Sequence, residues 1–303
     1  MLSTFFSTSK PVHYLLMALL LMLAIAGLIF SNEAYDWTAY LLMLPALVAV
    51  GLIQFIVLKN ELTRSNTYAI FVFMVMLLVL FTLNIQWQPI ASLILLLLAL
   101  RRLLSLRNAT DTVKKIFDAS FWTSIACLLE SWSSLFFIVI YLSIFLFARH
   151  QFRYWIVPVI AVMSVWIITF TIDQFVTLNL FEAFYNGGQL DPVWEYQRFQ
   201  SQHILVICIA AITIMAVFFY LMKYTSLQKS ERPQQIVLIS IGLITIFLFL
   251  FSFETFLNHG SLWMIIVPAI MIVRIVQKLK SKLWKELLLW IPVALLVIAL
   301  VIS

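Results

Sequence analysis

Apolar residues run through this chain in long blocks separated by short polar knots, and the blocks have the length of membrane spans. A helix that crosses the hydrocarbon layer needs about 20 predominantly apolar residues. On that criterion the pattern predicts spans over residues 13–30, 37–57, 68–85, 89–106, 116–130, 131–148, 155–177, 203–222, 235–253, 261–277 and 286–302. The expected fold is all-α, a polytopic transmembrane helical bundle of about eleven spans that makes residues 1–303 one integral membrane domain. The apolar stretch 116–148 is either one over-long tilted helix or two helices meeting near Leu129-Glu130-Ser131-Trp132.

Charge turns this pattern into an orientation. Eighteen of the 19 Lys and Arg residues fall in alternate loops, at Lys10, Lys59, Arg64, Arg101, Arg102, Arg107, Lys114, Lys115, Arg149, Arg153, Lys223, Lys229, Arg232, Arg274, Lys278, Lys280, Lys282 and Lys285. Cations flanking spans mark the cytoplasmic side, so the N-terminus is expected inside, the C-terminus outside, and only Arg198 external. A single helix over 116–148 would invert every later loop, whereas two helices keep Arg149 and Arg153 inside, which favours two with Glu130 near the outer turn. The first apolar block is too long for a signal-peptide core and is expected to be retained. The residues before it, with Phe5, Phe6 and Lys10-Pro11, read as an interfacial segment. The expected location is the bacterial cytoplasmic (inner) membrane.

Composition agrees: 64% of residues are apolar, 11% are charged and 26 are Phe, which no water-exposed surface could accommodate. The net charge of +6 resides in topogenic loops, so nucleic acid is not an expected partner. Membrane lipids and membrane proteins are. Cys127 and Cys208 lie in apolar runs and read as small buried hydrophobes. The run 278–285, rich in Lys, reads as a positive-inside anchor that also suits anionic headgroups.

Ionisable groups at membrane depth are costly and tend to carry function. The outer side collects Glu33, Asp36, Glu130, Asp173, Glu182, Asp191, Glu195, Glu254, His203 and His259. Asp36 directly precedes the second span, and Asp173 is embedded in an apolar run, where a structural hydrogen bond and a functional role both remain open. The longest external loop, 178–202, carries Trp194, Glu195, Tyr196, Arg198 and Phe199. Its aromatics suit an interfacial belt or stacking on a sugar ring; Arg198 suits a lipid phosphate or an ion pair with Glu195. Nucleotide-binding glycine loops, HExxH, and GxSxG are all absent, so no metal and no cofactor is expected.

The runs from Lys59 to Ile70, Leu98 to Leu106 and Lys115 to Trp122 resemble a family of uncharacterised integral membrane proteins from Bacteroidota. The layout is also similar to the GT-C glycosyltransferase superfamily. Residues 32–36 stand where those enzymes carry a catalytic carboxylate after the first span, and the stretch 116–153 resembles their middle section. The first external loop is shorter than is usual there. This second resemblance implies a glycosyltransferase using a polyprenyl-phosphate-linked sugar, with Asp36 or Glu33 as general base and Arg198 or His203 on the leaving phosphate. The alternatives are a non-enzymatic scaffold or subunit in envelope assembly or secretion, and a transporter relaying through Asp173.

Overall fold

The structure is a computed structural model that describes residues 2–31, 37–63, 66–83, 86–108, 110–148, 151–176, 201–223, 231–251 and 261–302. Within them the chain is helical, without a strand. A single turn, α1 (Leu2–Phe5), precedes α2 (Pro11–Ser31), α3 (Met43–Lys59), α4 (Tyr68–Phe81), α5 (Trp87–Leu104) and α6 (Thr112–Leu129). Then follow α7 (Phe136–Phe147), α8 (Arg153–Val176), α9 (Ser201–Lys223), α10 (Arg232–Phe251), α11 (Ile266–Lys278) and α12 (Lys282–Ile302). Short 3-10 turns at Trp37–Leu42, Ser131–Leu135 and Ser261–Ile265 lead into α3, α7 and α11.

Each apolar block read from the sequence is helical over its described residues, and among these seven helical stretches are long and apolar enough to cross a membrane: Pro11–Phe30, Tyr40–Lys59, Trp87–Arg107, Arg153–Phe175, Ile204–Met222, Arg232–Leu250 and Lys282–Val301. Two shorter apolar helices, Tyr68–Phe81 and Ser131–Phe147, join them. The chain is a multi-helix membrane protein. Its outer surface agrees, because α2, α8 and α12 display large apolar side chains such as Leu15, Trp166, Phe175, Trp290 and Val301. A water-soluble monomer rarely exposes apolar patches of that extent, and lipid is the solvent that covers them.

The stretch 116–148 is divided in two. Helix α6 stops at Leu129, and Glu130 is extended, with φ −141° and ψ 103°. Its N–H still donates to the Ala126 carbonyl at 2.9 Å, and its own carbonyl accepts from Ser133 at 2.9 Å to start the 3-10 turn. Ser131, Ser133 and Ser134 offer the backbone competing hydrogen bonds, the usual reason serine weakens a helix interior.

The core is built on two short helices. Every residue of α4 is buried: the helix is apolar on all sides, with no face to give to water, and four neighbouring helices enclose it. Its 14 residues rise about 21 Å, short of the roughly 30 Å hydrocarbon thickness. It packs against α2, α3, α11 and α12, while α11 packs against α4, α9, α10 and α12. Helices α5, α6 and α8 pack in sequence beside this core, and α7 lies on α10. Gly242 of α10 is a close-approach point: a Cβ there would stand 2.5 Å from Cγ2 of Val217 on α9 and 3.2 Å from Cγ1 of Val267 on α11.

Contacts gather the cationic loops at one end. Arg101 and Lys59 both lie over the Phe55 ring, at 4.6 and 5.4 Å from its centroid. Arg102 pairs with Asp118 at 2.8 Å. Lys115 donates to the carbonyls of Ser105 at 2.9 Å and Asn108 at 2.7 Å, closing the C-terminal end of α5, where a cation suits the helix dipole. Partial burial lowers the Lys115 pKa; Asp111 opposes that, while Arg102 and Lys59 add to it. At the other end Ser92 shares a 2.9 Å hydrogen bond with Ser133, and Phe136 meets Trp263 edge-on.

The amino-terminal residues, read from the sequence as an interfacial segment, are docked on the ends of α4 and α12. The N–H groups of Leu2 and Ser3 donate to the Glu286 carboxylate at 3.1 Å each, and the Ser3 hydroxyl donates to it at 2.7 Å. Tyr68 donates to the Ser3 carbonyl, and both the N–H and the hydroxyl of Thr67 donate to the Phe6 carbonyl, at 3.1 and 3.2 Å. Phe6 is buried and stacks on Phe71 with centroids 4.6 Å apart. Phe5 and Lys10 stay exposed, while Phe6 and Ser3 find partners in α4 and α12.

Candidate functional site: a charged cavity beside Arg274

Helix α3 ends in a turn that shapes the site. Glu61 donates its N–H to the Leu58 carbonyl at 3.3 Å, and Leu62 donates to the Val57 carbonyl at 3.0 Å. This is the Schellman arrangement, whose left-handed residue is usually glycine; here it is Glu61, at φ 52°. The strain places an exposed carboxylate at the rim of the cavity. The Leu62 carbonyl, turned inward, accepts a hydrogen bond from Nε of Arg274.

Arg274 sits near the end of α11 and is 9% exposed, an unusual burial for a guanidinium. Its Nη2 lies 3.6 Å from the Glu231 carboxylate, just before α10. A cavity of about 710 Å³ opens beside this pair, lined by Glu61, Thr63, Glu231, Arg274, Gln277 and Lys278, with Leu58 and Leu62 as its apolar wall. Lys278 stands one helical turn after Arg274 on the same face of α11. The volume falls within the usual range for small-ligand sites, roughly 300–1,000 Å³.

Tyr220 of α9 is within electrostatic reach of both Arg274 and Glu231. Gln235, one turn after Glu231, is fully buried, and neither atom of its amide has a partner among the described residues. A buried polar group without a partner marks a position for water or a ligand group.

Among the described residues the arrangement holds two cations and two carboxylates in one cavity. A guanidinium offers five N–H donors. One meets Leu62 and another approaches Glu231, so the cavity face of Arg274 keeps donors for an anionic group. Among the described residues no group of three or more His, Cys, Asp or Glu is placed to hold a metal.

The residues singled out from the sequence fall elsewhere. Glu33 and Asp36 lie in 32–36, and Trp194, Glu195 and Arg198 in 177–200, outside the described residues. His203 belongs to the first turn of α9, with its side chain outside the described residues. Asp173 is half-buried near the end of α8. Glu130 is 5% exposed at the break between α6 and α7. Neither lines the Arg274 cavity. Sequence reasoning counted Arg274 among the inner loop cations; the signal it passed over is a cation embedded in the apolar run Val273-Arg274-Ile275-Val276.

A family model described as Family of unknown function (DUF6427) matches residues 1–302, and the chain belongs to that family. Comparison with curated proteins and with solved structures finds no match.

Proposed function

We propose that this protein of the bacterial cytoplasmic membrane is a binding component, and that its ligand occupies the Arg274 cavity at the cytoplasmic end of an eleven-pass, N-inside bundle. The alternation of helix ends supports the topology. The C-terminal ends of α3, α5 and α11 and the N-terminal ends of α4, α6 and α12 meet in one charged layer. The observation that carries the site is Arg274 itself. A buried guanidinium is expensive unless its charge and its donors are satisfied, and intramembrane cations that persist usually serve a pathway or a ligand. A single carboxylate at 3.6 Å leaves that requirement partly unmet.

The test replaces Arg274 by Gln and, separately, Glu231 by Gln in a strain lacking the chromosomal copy. Arg274→Gln is expected to reach the membrane in near-normal amount and to fail in complementation, whereas Glu231→Gln, which leaves the buried guanidinium without its carboxylate, is expected to lower the amount of protein as well. Variants that insert normally and complement fully would remove the cavity from consideration.

A second reading keeps the glycosyltransferase. Its support is the pair of short helices α6 and α7, broken at Glu130 and followed by α8, as the superfamily's middle section would have it. Asp36 would then take the proton of the acceptor hydroxyl, with Glu33 as the alternative base, and Arg198 or His203 would face a polyprenyl-phosphate leaving group. An Asp36→Asn change would slow transfer on the order of 10²-fold and enlarge the pool of lipid-linked sugar. An unchanged pool and unchanged envelope glycans would reject that reading.

A further inference from the structure

We infer that the occupant of the Arg274 cavity is a zwitterion, an anionic group joined by a short link to a primary ammonium, as in phosphoethanolamine. The inference rests on the cavity being a ligand site and adds the ligand's chemistry. Among the described residues two cations, Arg274 and Lys278, line one face of α11, while two carboxylates, Glu61 and Glu231, come from the turn after α3 and the residue before α10. A simple anion would gain the cations and meet both carboxylates; a simple cation would meet the reverse. An occupant carrying both signs satisfies both walls, and like-charge opposition penalises the alternatives.

The cationic half is a primary ammonium for a separate reason. Such a group donates up to three hydrogen bonds, and the carboxylates of Glu61 and Glu231 supply acceptor oxygens at the cavity. A trimethylammonium donates none and is held by aromatic cages, and among the described residues no aromatic lines this cavity. Glu61 has no ion-pair partner among the described residues, and it occupies a left-handed position that glycine would fill without strain. Non-glycine residues held there concentrate at functional sites. The anionic half falls to the free donors of Arg274 and to the Lys278 ammonium, a geometry suited to phosphate.

The full chain, purified in detergent, is titrated with O-phosphoethanolamine, inorganic phosphate, ethanolamine and phosphocholine, with the thermal unfolding midpoint as readout. Specific binding to the folded state raises that midpoint by mass action. O-phosphoethanolamine is expected to act at about tenfold lower concentration than each of the others, a discrimination of one ion pair. Glu61→Gln should erase its advantage over phosphate, and Lys278→Gln its advantage over ethanolamine. Both side chains are exposed, so neither change threatens the fold. Equal action of phosphocholine or phosphate on the wild type, still weakened by Lys278→Gln, would overturn the zwitterion and leave the ligand site standing. No response to any of the four probes would overturn both. Nanodiscs distinguish the sources: a response already saturated in phosphatidylethanolamine but open in phosphatidylcholine assigns a lipid headgroup, and equal responses in both assign a free solute.

Discussion

The carbonyl of Leu62 accepts a hydrogen bond from Nε of Arg274, so the turn that ends α3 is tied to the last turns of α11 across the core. The tie has a local cost, because the turn that presents Leu62 holds Glu61 at φ 52°. Left-handed backbone costs an L-residue roughly 1–2 kcal/mol, part of which glycine recovers. Glu61→Gly is therefore expected to stabilise the protein by about 0.5–1 kcal/mol while weakening its response to O-phosphoethanolamine. Denaturant unfolding with and without that compound measures both, and a loss of stability would show that the Glu61 side chain supports the fold.

Gly242 is expected to tolerate no larger residue. Alanine there places its Cβ 2.5 Å from Val217 and 3.2 Å from Val267, both β-branched and stiff in a helix. Overpacking of this kind costs about 1–3 kcal/mol, more than the helix propensity gained, about 1 kcal/mol. Gly242→Ala should lower the unfolding midpoint, and adding Val217→Ala should restore most of it. A single variant as stable as the wild type would mean that α9 and α10 can part at no cost.

The bonds from Leu2 and Ser3 to Glu286 predict a protected amino terminus. Hydrogen bonds to a charged group contribute about 1.5–3 kcal/mol. Glu286→Gln should therefore speed amide exchange of residues 2–6 by about 10- to 100-fold and leave the centre of α4 unchanged. Exchange in the wild type already at the rate of a free peptide would contradict the docked arrangement.

Topology is open to direct measurement. Reporter fusions after Arg153 and after Ser303 should read inside and outside respectively. An external signal at Arg153 would mean that α6 and α7 cross as one span, and every later loop would change sides.

The helices were legible in the sequence because burial in lipid imposes one rule on every residue of a span. Apolar blocks of sufficient length must form helices, since backbone groups have no other partner there. The break at Glu130 was visible as well, through parity of the cationic loops on either side of it. The candidate site was not legible, and the reason is physical. Lys59 and Arg274 look alike as charges at span ends, yet one lies over the exposed Phe55 ring and the other is buried. Only the packing of α11 against α4, α9 and α10 turned Arg274 inward, toward a carbonyl 212 residues away and a carboxylate before another helix. The same holds for Ser3 and Glu286, whose pairing spans nearly the whole chain. Hydropathy is a local sum, and it decided which residues are helical; which helices are enclosed, as α4 is, was decided by packing. The partner of a charge depends on which helices come together, and tertiary structure alone decided that.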